Sequence, residues 1–334
     1  MYLTAGTGTE PNMLFDRNKL TIRSLQERVH DLNLSVVLPL DSNIEWDHPG
    51  IRETAGHIVK AKQGQKNIVM MVGGHVIRSG VQRYIIDLME KGYITCFSTN
   101  GAGMIHDYEF ALIGATTESV ARYIKEGQFG LWKETGVIND IINASHREGP
   151  IGMGEAIGKA IHEGDFPYKD ISIFAACHRL HIPATVHIGI GYDIIHEHPN
   201  FDGAASGAAS YRDFLKYAEI IRNIDRGVVM NFGSAVMAPE VFLKALSMAR
   251  NAARRDGTSI TDFTTLVCDI HKLPEKIDAE PSKQDASYYF RPWKTMLVRT
   301  VADGGRSYYV NGRHAETIPS LWASIRNLDE DFYL

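Results

Sequence analysis

The sequence has little cysteine, no long apolar run and no excess of positive charge, and each shortage excludes a class of protein. Its three cysteines are widely spaced and form no CxxC pair, which argues against a disulfide framework or a zinc ribbon. No stretch approaches the roughly 18 apolar residues that a membrane-spanning helix requires. Lysine and arginine number 35 against 40 aspartates and glutamates, so no basic field would hold a nucleic acid.

The ends and the overall pattern of the chain indicate its general class. Residues 1–13 contain neither a basic segment nor the apolar core of a signal peptide, so we expect a cytoplasmic protein. Hydrophobic residues make up 44% of the chain, which is enough for a substantial core, and there is no internal repeat or heptad run. We expect a single domain over residues 1–334, with residues 1–50 as an N-terminal extension.

Short apolar runs alternate with segments of helical spacing. Strands are predicted at residues 67–72, 93–98, 184–188, 227–230 and 263–268. Helices are predicted after Ser79, near 153–162 and 171–180, over 211–223 and from Pro239. This alternation predicts an α/β fold with a mostly parallel, doubly wound, Rossmann-like sheet, in which ligands bind at the carboxyl ends of the strands. The polar segment 273–288 is predicted to be a surface loop that could reach a neighbouring subunit.

Glycine-rich loops follow three of these strands. They are Gly73-Gly74-His75, the segment from Ser98 to Gly103 (STNGAG), and Asn231-Phe232-Gly233-Ser234. Glycine lets the backbone approach a pyrophosphate, although glycine in a strand-to-helix turn often serves only the turn itself. None of the loops has the GxGxxG spacing. Their repetition at corresponding strand ends favours the binding of a phosphate or a dinucleotide.

A histidine-rich segment, HIGIGYDIIHEH, begins at His187 and ends at His198, directly after a predicted strand. Histidine and aspartate serve both proton transfer near neutral pH and the binding of divalent metals. The segment lacks the HExxH spacing of zinc proteases. Three interpretations stay open: structural histidines in a polar loop, proton transfer by His187, Asp193 and His196, or a metal site.

The order of these loops resembles the deoxyhypusine synthase family over residues 20–325. GGHVIRSGV, at residues 73–81, is similar to the family's SNxxSSG segment, and STNGAGMIHD, at 98–107, to its TTAGGxEED loop. GVINDIIN resembles GINRxGN, HRLHIPATV resembles HKNxIPVF, and TIPSLWASI lies where the family has VFPLLVAE. The resemblance implies the family's NAD-binding fold and a homotetramer with its sites at dimer interfaces.

The resemblance also implies a set of residues that contact NAD. These are His75, Ser79, Ser98, Thr99, Asn100, Gly101, Gly103, Asp107, Gly233 and Ser234. Two glutamates of the family's TTAGGxEED loop are replaced here, by Ile105 and His106.

One departure from the family decides the expected reaction. The family's glycine triplet is followed by a lysine that forms an imine with the butyl group taken from spermidine, whereas Val236 stands at about that position here. The nearest following lysine is Lys244, inside the next predicted helix. Because the imine nitrogen must come from a primary amine, we expect no deoxyhypusine synthesis.

Three hypotheses follow for the function. The first is an NAD-dependent enzyme that acts on a small amine or amino-acid-like metabolite, with His187, Asp193 and His196 in proton transfer. The second is a metal-assisted hydrolase or lyase centred on the histidine segment. The third is a non-catalytic relative that binds a ligand. All three expect a small-molecule ligand and neither nucleic acid nor a membrane as partner.

Overall fold

A computed structural model describes residues 14–40 and 44–329. The prediction that residues 1–13 do not form a signal peptide therefore concerns a segment outside the described residues. The described strands are β1 His30–Asn33, β2 Ile68–Val72, β3 Cys96–Asn100, β4 Ala115–Glu118, β5 Ala184–His187, β6 Val228–Phe232, β7 Thr264–Asp269 and β8 Arg306–Asn311. The described α-helices are α1 Pro49–Gln63, α2 Gly74–Arg78, α3 Gln82–Glu90, α4 Gly101–Ile113, α5 Val120–Glu126, α6 Lys133–Glu148, α7 Met153–Glu163, α8 Ile173–Arg179, α9 Gly203–Arg222, α10 Met237–Arg255 and α11 His314–Leu328. A π-helix covers Trp293–Arg299.

Six strands form one parallel sheet in the order β5-β3-β2-β6-β7-β8. Five of them, β2, β5, β6 and most of β3 and β7, are buried on both faces, which is why β2 is a continuous apolar run and β6 is nearly one. Numbered within the sheet in chain order, the strands run 3-2-1-4-5-6, the order of a doubly wound Rossmann sheet. This arrangement confirms the predicted α/β fold class.

Helices cover both faces of the sheet. On one face, α1, α3, α4, α7, α8 and α11 contribute to a large apolar core with Met70, Phe97 and Phe232. On the other face, α9, α10 and the π-helix pack against Val69, Met71 and Val267. The chain changes face between β5 and β6, through α9. The strand order therefore reverses between β2 and β6, at the place where such sheets bind their ligands.

A second, two-stranded sheet lies beside α4. Its strands β1 and β4 pair antiparallel, with His30 opposite Glu118 and Leu32 opposite Thr116. Neither strand was predicted from the sequence, because each has only four residues, and those of β1 alternate between half-buried and exposed. This ribbon forms one wall of a cavity described below.

Several predicted boundaries were wrong for local reasons. Strand β3 begins at Cys96 because the N–H of Tyr93 instead donates to the carbonyl of Leu88 and closes the preceding turn. Ser79 is the C-cap of α2 and does not cap the next helix. Helix α9 begins at Gly203 and not at 211, since Asp202 caps it by accepting from two backbone N–H groups. The first turns are rich in alanine, glycine and serine, so they show no apolar periodicity. Strand β8 is a partly exposed edge strand that was missed.

No helix among the described residues is long and apolar enough to span a membrane. The predicted surface loop at 273–288 contains no α-helix or strand and is mostly exposed.

Candidate ligand site at the carboxyl edge of the sheet

The loops after β2 and β6 touch each other where the strand order reverses. The N–H of Gly73 donates to the carbonyl of Phe232 over 3.0 Å. A β-carbon at Gly73 would lie 2.5 Å from the carbonyl oxygen of Gly233, and Gly233 itself has a φ of +63°. Only glycine permits both features. The two predicted glycine loops are thus adjacent.

The third glycine loop begins α4. The side chain of Asn100 caps this helix by accepting from the N–H of Gly103 over 3.0 Å. A β-carbon at Gly101 would overlap the carboxylate of Asp193, so this carboxylate lies directly against the first turn of α4. The N-terminal end of a helix carries partial positive charge, and here it faces the carboxyl edge of the sheet.

Asp193 and His196 form a buried pair at this end of α4. Their side chains are 6% and 5% exposed, and Oδ2 of Asp193 lies 3.9 Å from Nε2 of His196. The Nδ1 atom of His196 accepts the N–H groups of Gly191 and Asp193, so the neutral ring carries its proton on Nε2. Burial raises the pKa of Asp193 to about 6 and lowers the pKa of His196. The 3.9 Å separation is longer than a hydrogen bond, and Nε2 of His196 has no hydrogen-bond partner among the described residues.

His187 lies elsewhere. At the end of β5, its Nε2 is 3.1 Å from the hydroxyl of Thr185, and its ring meets the edge of Tyr217 from α9. Asp193 instead contacts α4, on the opposite face of the sheet. Burial lowers the pKa of His187 to about 4, so the ring is neutral near pH 7. The structure therefore separates His187 from the Asp193–His196 pair, with which the sequence grouped it.

Three residues predicted to contact the cofactor are engaged within the protein. Ser98 lies 2.6 Å from the hydroxyl of Thr185, and Thr99 donates to the carbonyl of Val72. The carboxylate of Asp107 accepts from the hydroxyl of Ser172 and from two N–H groups of α8, whose N-terminus it holds. All three are at most 1% exposed. Their side chains are thus unavailable to a ligand in this structure, and they do not enter the proposed site.

The other predicted cofactor residues remain near the edge. His75 is exposed on α2, and its carbonyl accepts the hydroxyl of Ser79. Ser234 is buried and caps the first turn of α10 by accepting from the N–H of Ala238. Cofactor contact by these residues stays a prediction. Val236, which the resemblance places at about the position of the family's lysine, is exposed just before α10, and Lys244 forms an ion pair with Glu240 on the helix surface.

A cavity of about 250 Å³ adjoins the Asp193 loop, between α4 and the β1–β4 ribbon. We call it the α4 cavity. Its polar lining consists of Arg28, Arg78, His106, Glu109, Thr117, Glu118 and Asp193. Ala102 in the first turn of α4 also lines it, so the cavity opens beside the glycine loop of β3. Of its polar residues, the sequence singled out only Asp193 as a functional residue.

His314 is a second residue that sequence reasoning missed. It begins α11, is 8% exposed, and its Nδ1 is buried without a hydrogen-bond partner. A β-carbon on Gly233 would overlap its ring, which places it beside the loop after β6. No motif surrounds it in the sequence, and it reaches the edge only because β8 lies beside β7.

The histidine segment does not assemble a metal site within the described residues. Nowhere in 14–40 and 44–329 do three His, Cys, Asp or Glu side chains come close enough to hold an ion. His198 forms a hydrogen bond with the carbonyl of Gly130, away from His187. The three histidines of the segment, His187, His196 and His198, therefore contact three different parts of the protein.

No protein-family model matches the chain, and no curated protein matches it in sequence. Among solved structures, it is similar to a conserved putative LOR/SDH protein from Methanococcus maripaludis S2. The TM-score is 0.51 at 16% identity, over 87% of this chain and 72% of that one. It is also similar to unliganded AgrE, with a TM-score of 0.50 at 15% identity, over 84% of this chain and 32% of AgrE. The chain thus spans about a third of the length of AgrE.

Two further similar structures have TM-scores below 0.5. AgrE is also known as a ternary complex with ornithine and NAD+, at a TM-score of 0.48 and 15% identity, over 83% of this chain and 33% of that one. A putative deoxyhypusine synthase from Entamoeba histolytica has a TM-score of 0.45 at 9% identity, over 82% of this chain and 86% of that one. The two structures with TM-scores of 0.51 and 0.50 show a shared fold, and the family stays unassigned.

Proposed function

We propose that this protein is an NAD-dependent enzyme that acts on a small amino-acid-like metabolite, without a covalent lysine intermediate. The observation that carries the proposal is the 3-2-1-4-5-6 strand order, with glycine loops at the carboxyl ends of β2, β3 and β6. Sheets with this order bind dinucleotides across the point where the order reverses. AgrE, which shares the fold, has been solved with ornithine and NAD+, and we extend these two ligand classes to this chain.

The residues at this edge fit a dinucleotide. At Gly73, Gly101 and Gly233 a β-carbon would collide with other atoms of the protein, so glycine lets these loops pack closely together at the edge where the strand order reverses. The first turn of α4 offers partial positive charge, and His314 has a buried ring nitrogen without a partner beside Gly233. In this proposal, Asn100, Gly101, Gly103, Gly233 and Ser234 line the cofactor, with His75 and Ser79 at the rim. The bound NAD would supply hydride transfer.

Asp193 and His196 are the proposed proton-transfer pair. Both side chains are at least 94% buried, and the carboxylate of Asp193 borders the α4 cavity and the first turn of α4. The neutral His196 turns Nε2–H toward Asp193 at 3.9 Å, so in this proposal Asp193 takes up and releases the proton, and His196 stabilises its charged form. His187 has a different proposed part: it fixes the end of β5 through Thr185 and Ser98.

Titration calorimetry with NAD+ and a turnover assay that follows NADH absorbance test this proposal. We expect NAD+ to bind, and ornithine or arginine to be turned over. Asp193→Asn should retain NAD+ binding and lose about 100-fold or more in turnover, which is the contribution of general acid–base catalysis. His146→Gln is the matched surface control, since His146 is exposed at the end of α6.

Two outcomes would contradict the proposal. If the wild-type protein does not bind NAD+ at millimolar concentration, NAD+ is not its cofactor. If NAD+ binds but Asp193→Asn has unchanged turnover, Asp193 and His196 do not carry out the proton transfer. NAD+ binding without turnover of any amino acid would instead favour a non-catalytic, ligand-binding relative.

The assembly and location follow as part of the same proposal. We infer a homotetramer with sites at dimer interfaces, which is what the deoxyhypusine synthase resemblance implies, and a cytoplasmic protein. Light scattering that shows a monomer would refute the assembly.

A further inference from the structure

The α4 cavity contains polar groups that the protein leaves unsatisfied. The Nε atom of Arg78 and the hydroxyl of Thr117 are both buried, and neither has a hydrogen-bond partner among residues 14–40 and 44–329. Both residues line the cavity. Buried polar groups are nearly always paired, because an unpaired one costs free energy, so two unpaired groups in one cavity wall are unusual for a region that serves packing alone.

Arg78 is the available cation of the cavity. The other arginine, Arg28, is held by Glu109 through two hydrogen bonds of 2.9 and 2.8 Å. Arg78 has only His75 near its NH1, at 3.4 Å, and forms no ion pair with a described carboxylate. A guanidinium presents a planar fork of N–H groups that matches a carboxylate.

The remaining charges of the cavity select for a zwitterion. Once Arg28 and Glu109 neutralise each other, Arg78 faces two carboxylates, Asp193 and Glu118. Glu118 accepts from the N–H of Gly130 and the indole of Trp132, which fixes its position. A phosphate would meet two negative groups, whereas an α-amino acid brings one carboxylate for Arg78 and an ammonium for the acidic side.

The backbone at Thr117 supports a functional cavity. Its φ is +68°, in the left-handed region, which is a strained conformation for a β-branched residue. Thr117 lines the cavity, and its hydroxyl is buried without a hydrogen-bond partner among the described residues. Strained backbone conformations persist only where the surrounding structure holds them, and they are found most often at ligand and active sites.

We propose that the α4 cavity binds an α-amino acid, with Arg78 holding its carboxylate and Asp193 its ammonium. The inference rests on the proposed function, since it places the substrate beside the first turn of α4. Ala102, in that turn, lines the cavity, and the carboxylate of Asp193 lies against Gly101. A substrate held this way reaches both the cofactor edge and the proton-transfer pair.

Differential scanning fluorimetry with a panel of the standard L-amino acids and L-ornithine tests the proposal without NAD. Each amino acid that binds is compared with its decarboxylated amine, for example ornithine with putrescine. We expect at least one amino acid to bind the wild-type protein, and its amine to bind at least about tenfold more weakly, because charge-assisted bidentate hydrogen bonds are strong. Arg78→Gln should remove this preference. Arg83→Gln, on the exposed side of α3, should keep it.

The outcomes separate this inference from the function it rests on. An amino acid that binds Arg78→Gln as tightly as the wild-type protein overturns the cavity assignment, even if NAD-dependent turnover is found. Failure of every amino acid to bind also overturns it. Binding that depends on Arg78 in a protein without NAD+ affinity upholds the cavity and contradicts the proposed enzyme. The unfolding midpoint of Arg78→Gln without ligand shows whether the variant is folded.

Discussion

The buried ion pair between Arg28 and Glu109 links the N-terminal segment to α4, and its removal gives a sharp prediction. The two side chains are 1% and 2% exposed. Besides the two bonds from Arg28, the carboxylate of Glu109 accepts the hydroxyls of Thr116 and Thr135, each over 2.7 Å. Arg28→Met would keep much of the apolar volume but leave Glu109 charged, buried and without its countercharge.

The expected loss in the free energy of unfolding is about 3–5 kcal/mol, the usual result of breaking one side of a buried pair. A typical domain has only about 5–15 kcal/mol in total, so this variant should approach the limit of folding. Burial alone would raise the pKa of Glu109, but the charge and hydrogen bonds of Arg28 hold it below its ordinary value. The stabilisation is therefore present at neutral pH, and it is lost as the pH falls through this lowered pKa.

Urea unfolding followed by circular dichroism measures the effect. The matched control is Arg122→Met, because Arg122 pairs with Glu126 on the surface of α5, where a salt bridge contributes about 1 kcal/mol or less. The double variant Arg28→Met/Glu109→Met should recover much of the loss, since it leaves no unpaired charge. If Arg28→Met loses no more stability than Arg122→Met, the reasoning about this buried pair is wrong.

Two further predictions concern the site. Because burial raises the pKa of Asp193 to about 6, its charged form destabilises the fold, and this cost grows as the pH rises from about 4 to 6. Asp193→Asn should therefore raise the free energy of unfolding by up to about 3 kcal/mol at pH 7 and change it little at pH 4. Urea unfolding at both pH values measures this, and equal effects at pH 7 and pH 4 would refute it. Gly73→Ala should lower the free energy of unfolding by about 1–3 kcal/mol, since the new β-carbon would meet the carbonyl of Gly233. Gly56→Ala is the control: this site on α1 faces open space, so alanine should raise the free energy of unfolding by up to about 1 kcal/mol. Equal melting shifts for the two alanine variants would contradict the close approach of the glycine loops.

The fold was largely predictable because its main signal is local. Continuous apolar runs such as 67–72 and 227–230 identify strands buried on both faces, and glycine follows them where the chain turns into a helix. The strands that were missed, β1, β4 and β8, are short or partly exposed, so they lack such a run. Their places are set by pairing with distant partners, which a local pattern does not contain.

The site was only partly predictable. The sequence grouped His187 with Asp193 and His196 because they are neighbours in the chain, yet β5 ends between them and directs them to different faces. It likewise assigned Asp107 to the cofactor, whereas this carboxylate caps α8. Arg78 could have been noticed as the only charged residue within GGHVIRSGV, but nothing in the sequence shows that its guanidinium would remain without a carboxylate partner.

The sequence by itself determined the layered α/β architecture and the three glycine loops, since both depend on residue types at fixed local spacing. It also shows that no lysine lies between Arg226 and Lys244, around the loop after β6. Only the tertiary structure decided which loops meet, because the order 3-2-1-4-5-6 brings β2 beside β6, far apart in the chain. The α4 cavity is likewise a product of tertiary packing. Its charged groups come from Arg28, Arg78, Glu109, Glu118 and Asp193, and long-range contacts alone set which of these charges are neutralised and which remain for a ligand.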